Sequence, residues 1–171
     1  MEKNSFVYPI QIEIGGLSKE ELIKKILENV NKDSDHYDAL YIADRALDAI
    51  RHKDFVVSPE KKMVKLVYRT VADMGFTEER TKLSDIRDFI KKNYKNEFCD
   101  DETALWLRLM WDRITFDWVY ITTKFNSFDI ADLPSDNPYL FHFCGSYLYN
   151  EELNPYFVCG LDTVFVFKSL E

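Results

Sequence analysis

Three histidines, three cysteines and a run of acids are the residues of this chain best equipped for chemistry. Zinc sites draw on His and Cys at close spacing, such as H-x-x-x-H or paired cysteines. His36, His52 and His142 lie far apart and form no such pair. A ligand set of Cys99, Cys144 and His142 has no spacing to support it, so neither a metal nor any other cofactor is expected. Asp100-Asp101-Glu102 reads as favourable charge before a helical turn, where backbone amides carry partial positive charge. A metal-dependent nuclease needs carboxylates on strands with a lysine nearby. Asp117 and Lys124 bracket a strand, but Thr122 stands where the second acid is wanted. The stretch 126–138 carries Asp129, Asp132 and Asp136 without the alternating oxygen ligands and central glycine of a calcium loop. It reads as a solvated loop. Gly15-Gly16 is followed by neither Gly-Lys-Ser/Thr nor a G-x-G-x-x-G pattern, so no phosphate cradle is expected. Cys144-Gly145-Ser146-Tyr147-Leu148 lacks the second glycine of a serine nucleophile elbow.

Charge and rings point to contact more than to catalysis. Residues 94–171 hold five Lys/Arg against thirteen Asp/Glu and so carry the whole net charge of −8, while residues 1–93 balance. The same stretch holds most of the aromatic residues, including Trp106, Trp111 and Trp118. An acidic chain lacks the clustered cations that displace counterions from phosphates, so nucleic acid is not an expected partner. No apolar run reaches the ~18 residues that span a bilayer, and no apolar leader follows Met1, so neither a membrane partner nor secretion is expected. An odd cysteine count with no close pair suits a reducing compartment, the cytoplasm. The length of 171 residues fits a single domain over 1–171.

The elements that would position these residues follow from periodicity. Alternation over 5–14 predicts a strand, with Pro9 restricting it to a sheet edge. Ser18 and Glu21 have the spacing of a capping box opening a helix to about Val30, whose apolar face is Leu22, Ile23, Ile26, Leu27 and Val30. A second helix is expected over 35–51, with Asp44 interrupting its apolar face. Lys62 to Ala72 reads as a strand, followed by a turn at Gly75 and a third helix over 84–94. Leu105, Leu107, Leu109 and Trp111 alternate with Trp106, Arg108 and Met110, which predicts a strand. Further strands are expected over 118–125, 140–144, 147–149 and 163–169, with antiparallel pairing between neighbours. In the strand over 140–144, His142 should face away from Phe141 and Phe143.

The segments Gly15-Gly16-Leu17-Ser18-Lys19-Glu20-Glu21-Leu22, Val71-Ala72-Asp73-Met74-Gly75-Phe76 and Leu107-Arg108-Leu109 together resemble a loosely defined group of small uncharacterised bacterial proteins. That resemblance carries no activity and transfers no functional residue. From the residues themselves the expected fold is α+β: a largely antiparallel sheet with about three helices, mostly from the N-terminal half. The expected function is a non-enzymatic, cytoplasmic protein-binding module of the inhibitor or immunity type. Its acidic, aromatic C-terminal half would contact a basic protein partner. The expected contact residues are Trp106, Arg108, Met110, Trp118 and Tyr120 on one strand face, with Asp112 and Asp117 at the strand ends. The alternative is an enzyme using Asp112, Asp117 or His142.

Overall fold

Alternating apolar and polar residues leave a strand dry on one side and wet on the other, as over 11–14, whereas the apolar run 164–167 is buried on both faces. The computed structural model describes residues 11–28, 41–93, 98–110, 115–123, 139–145, 147–154 and 156–169. In chain order the elements are β1 (Gln11–Ile14), α1 (Lys19–Glu28), β2 (Tyr41–Ile42), α2 (Asp44–Arg51) and β3 (Lys62–Thr70). They continue with β4 (Thr81–Lys82), α3 (Leu83–Asn93), α4 (Thr103–Met110), β5 (Thr115–Ile121) and β6 (Tyr139–Gly145). The last three are β7 (Tyr147–Glu152), β8 (Val158–Cys159) and β9 (Val164–Lys168).

Seven strands form one sheet in the order β1-β3-β9-β5-β6-β7-β2, and β4 pairs with β8 in a small second sheet. The architecture is therefore α+β with a mostly antiparallel sheet that draws strands from both halves of the chain. The successive strands β5, β6 and β7 pair antiparallel, as expected, whereas β5 runs parallel to β9 and β2 parallel to β7. Both parallel pairings join elements distant in sequence, where a tight hairpin imposes nothing.

The two sheet faces carry different layers. On one face, Ile12, Ile14, Val64, Leu66, Val119, Ile121, Phe141 and Phe143 pack with Leu22 and Ile26 of α1, Ala46 and Ile50 of α2, and Leu105 of α4. On the other, Tyr120, Leu140, Phe165 and Phe167 pack with Ile86 and Ile90 of α3 and with Cys159 of β8. The second layer covers the middle of the sheet and stops short of the β7–β2 edge, where Tyr41 and Tyr147 stay exposed.

The capping box at the start of α1 is formed: the Ser18 amide donates to Glu21 Oε2 (2.8 Å) and the Glu21 amide donates to Ser18 Oγ (3.2 Å). These bonds hold the Glu21 carboxyl below its ordinary pKa. Of the expected apolar face, Leu22, Ile23 and Ile26 are buried but Leu27 is exposed, and Val30 lies outside the described residues. Just before α1, Gly15 has φ +91°, and a Cβ there would sit 2.1 Å from the Glu60 carbonyl oxygen. The close approach is held by the Gly16 amide, which donates to the Ser58 carbonyl at 2.9 Å.

Four expectations need correction. The helix expected over 35–51 begins at Asp44, after Ala43 in extended conformation (ψ 150°) and the short strand β2; residues 35–40 lie outside the described residues. Asp44, which breaks the apolar face, instead occupies the first turn, where a carboxylate meets free amides. The strand expected over 105–111 is the helix α4, so four helices stand among the described residues and one belongs to the C-terminal half. The stretch from Ala104 to Met110 contains no β-branched residue, and Ala, Leu, Arg and Met favour helix. Ala104, Leu105, Leu107 and Arg108 are all buried, which hides the helical period behind an accidental alternation. Finally, β4 and β8 were absent from the expected strand set; at two residues each they carry too little periodicity to read. Of the strand expected over 5–14, Gln11–Ile14 is seen as β1, while Pro9 and the rest of that segment lie outside the described residues.

Candidate protein-binding face

The expected contact face placed Trp106, Arg108 and Met110 on a strand beside Trp118 and Tyr120. Because 103–110 is helical, that shared strand face does not exist. Trp106 is half-buried, and its indole Nε1 donates to Glu102 Oε2 at 2.8 Å. The other carboxylate oxygen of Glu102 accepts from the Ser58 amide at 2.8 Å. Glu102 thus ties α4 to the loop that embraces Gly15, where simple helix capping was expected. Its neighbour Asp100 also spans elements, pairing with Lys62 at 2.9 Å and lying 3.9 Å from Lys168.

Arg108 is wholly buried, with its guanidinium carbon 4.9 Å from the centre of the Phe143 ring. Burial lowers its pKa to about 10, which leaves it charged at neutral pH. Such an arginine supports the core and presents nothing to a partner. Tyr120 is likewise buried, and Met110 is exposed at the end of α4. Trp118 and Asp117 lie on β5, and Asp112 lies outside the described residues, as does the loop 126–138.

What the sheet does assemble is a row of rings that crosses five strands. Tyr41 on β2 stacks on Tyr147 of β7, with centroids 4.9 Å apart and planes 19° apart. Tyr147 stacks on Tyr149 at 5.5 Å, and Tyr149 stacks on His142 of β6 at 5.1 Å and 13°. His142 then meets Tyr120 of β5 at 5.1 Å, and Tyr120 stacks on Phe165 of β9 at 5.4 Å. Register explains the row: Tyr41 is paired with Tyr147, Tyr149 with His142, His142 with Tyr120, and Tyr120 with Phe165. Directly opposed side chains on one sheet face lie close enough for rings to touch.

Exposure rises along the row. Phe165, Tyr120 and His142 are buried and Tyr149 is half-buried, while Tyr147 is 40% and Tyr41 39% exposed. His142 faces away from Phe141 and Phe143, as expected, since those rings belong to the opposite core. Its Nε2 lies 3.9 Å from Glu151 Oε2, and Glu151 is half-exposed. The carboxylate invites a proton and burial resists it. Burial wins, pushing the histidine pKa down to about 4, because a half-solvated acid at that distance returns little of the desolvation cost. At neutral pH His142 is therefore an uncharged aromatic plank. Burial also raises the Tyr120 hydroxyl above the ordinary tyrosine range, and the Glu151 carboxylate adds to the rise. Neither group is set to exchange protons near neutrality.

No family model matches the chain, and neither a curated protein nor a solved structure matches it. The case for function therefore rests on the rings and charges themselves. Among the described residues, no group of three or more His, Cys, Asp or Glu is placed to hold a metal ion. No helix among them is long and apolar enough to cross a membrane.

The tyrosine strip was missed by sequence reading because its members come from β2 and β7, and their parallel pairing is not visible in local periodicity. The alternation Tyr147-x-Tyr149-x-Glu151 was the available signal. It places two rings and an acid on one side of a single strand.

Proposed function

We propose that the protein is a non-enzymatic protein-binding module of the inhibitor or immunity type, acting in the cytoplasm on a basic protein partner. The observation that carries this reading is the stacked strip of exposed Tyr41 and Tyr147 and half-buried Tyr149 at the sheet edge, with the Glu151 carboxylate beside it. Tyrosine offers large contact area with few rotatable bonds, so little entropy is lost when it is covered. The stacking of Tyr41 on Tyr147 and of Tyr147 on Tyr149 orders the rings before any partner arrives. Tyr41 ends the stack at the sheet edge, and its outer face can attract an arginine or lysine by about 0.5–1 kcal/mol. The net charge of −8 adds long-range attraction for a cationic surface and speeds encounter. The three free thiols, two of them buried, support a reducing compartment.

An arginine-rich peptide serves as a surrogate partner. Titrated into isotope-labelled protein, it should shift the amide signals of β2 and β7 and bind more weakly at high salt. Replacing both exposed rings (Tyr41→Ser with Tyr147→Ser) should weaken it about five-fold or more, as expected from one lost cation–π contact and the lost contact area of two rings. Shifts confined to other elements, or equal binding by a glutamate-rich peptide, would refute the reading.

A further inference from the structure

On the same sheet face as the tyrosine strip, a cavity of about 280 Å³ opens beside Tyr120, walled also by Phe157, Val158, Gly160, Asp162 and Thr163. Tyr120 belongs to the ring row, so the cavity and the strip share a wall. Tyr149 and Tyr120 stand two strands apart, a distance of roughly 10 Å at ordinary strand spacing. His142 between them is buried, so a partner must pass over its cover to reach both.

The lining combines two rings and Val158 with one carboxylate, that of Asp162. Phe157 meets Tyr120 edge-on, with centroids 6.4 Å apart and planes at 70°. The Asp162 carboxylate folds back over Gly160, since a Cβ placed on that glycine would lie 2.9 Å from Asp162 Oδ1 and 3.9 Å from Thr163 Oγ1. Asp162 is exposed and makes no ion pair among the described residues. Cys159 contributes no charge here, because burial pushes its thiol up to about 12. A carboxylate at the rim of an aromatic and aliphatic cavity matches a long cationic side chain. The aliphatic stem packs against rings and Val158 while the head meets the acid.

We infer that this cavity seats an arginine or lysine side chain projecting from the partner, an assignment that rests on the docking reading above. The cation would anchor beside Tyr120 while neighbouring residues of the same partner lie along Tyr149, Tyr147 and Tyr41. Gly160 is then a specificity element, because a larger residue there would push the carboxylate off its position.

The test titrates the labelled full-length protein with the acetylated, methylamidated forms of arginine, lysine and citrulline, the last a neutral near-isostere of arginine. Saturable shifts at residues 157–163 with the arginine or lysine form, and none with citrulline, are the expected result. Asp162→Asn and Gly160→Ala should each weaken that binding at least five-fold. Gly160→Ala should leave the fold intact, since the atom it meets is the end of a flexible side chain. Saturable binding by citrulline, unchanged affinity in D162N, or no saturable shift at these residues would overturn the inference. Loss of both tyrosines should weaken peptide binding about five-fold or more and leave binding of the amino-acid amide unchanged. Failure of the peptide with intact amide binding would sink the docking reading alone; the reverse would sink the cation seat alone.

Discussion

Acidification should unfold this protein partly through one imidazole. His142 is buried between Tyr120 and Tyr149, and its pKa falls from the ordinary 6.5 to about 4. In the unfolded chain the ring regains its ordinary pKa. Between pH 6.5 and about 4 the unfolded state therefore binds a proton that the folded state refuses. Stability is complete above pH 6.5 and falls as the pH drops through this window. At about 1.36 kcal/mol for each pH unit, the loss accumulates to about 3 kcal/mol by pH 4. Urea unfolding at a series of pH values would measure it, with His142→Phe as the comparison. Phenylalanine keeps a flat ring in the row and cannot titrate. The difference between the two proteins should carry the imidazole's slope from pH 6.5 to 4, whereas Glu21 and Asp73, whose carboxyls are held low by hydrogen bonds, lose their contribution as the pH falls through their ordinary values of 4.5 and 3.8 and do so equally in both. The imidazole signals of His142 should titrate with a midpoint near 4. If Glu151 governed the site instead, the histidine pKa would rise above 6.5 and the slope would reverse, stability then falling as the pH is raised. That reversal, or a flat difference curve, would refute the reasoning.

Two further substitutions test the packing. Asn150 is 1% exposed, and neither its Nδ2 nor its Oδ1 has a hydrogen-bond partner among the described residues; Asn150→Leu should stabilise the protein by about 1–3 kcal/mol in urea unfolding, the cost of an unsatisfied buried polar group, and a loss of stability would mean that the amide is satisfied. Gly15→Ala and Gly75→Ala share a positive φ, but only Gly15 would drive a Cβ into backbone. Thermal unfolding should show a loss of about 1 kcal/mol at Gly75 and about 3 kcal/mol or more at Gly15, and equal losses would contradict the close approach to Glu60.

Local signals were legible and long-range ones were not. The capping box at Ser18, the strand at 62–70 and the helix near 84–93 follow from residue type and short spacing, and the structure contains them. The segment 103–110 misled because leucine alternates there by chance, while a helix buried almost all round leaves no polar face to reveal its period. Reading propensity beside periodicity would have corrected it, since leucine, alanine and methionine without a β-branched neighbour favour helix. The contact face was lost for a second reason. Tyrosines on β7 are visible in sequence, but their stacking on Tyr41 depends on a parallel pairing that nothing near residue 41 announces. Tryptophan drew attention as the residue type of binding hot spots. Trp106 is instead engaged by the Glu102 carboxylate.

The position of β9 between β3 and β5 has a consequence for synthesis. Residues 164–168 follow all the other described strands in the chain, yet they bridge the two parts of the sheet. A nascent chain holding β3 and β5 but lacking this ribbon exposes two unmatched borders, each a template for intermolecular pairing. A chain cut just before residue 164 would keep both borders open and should therefore self-associate.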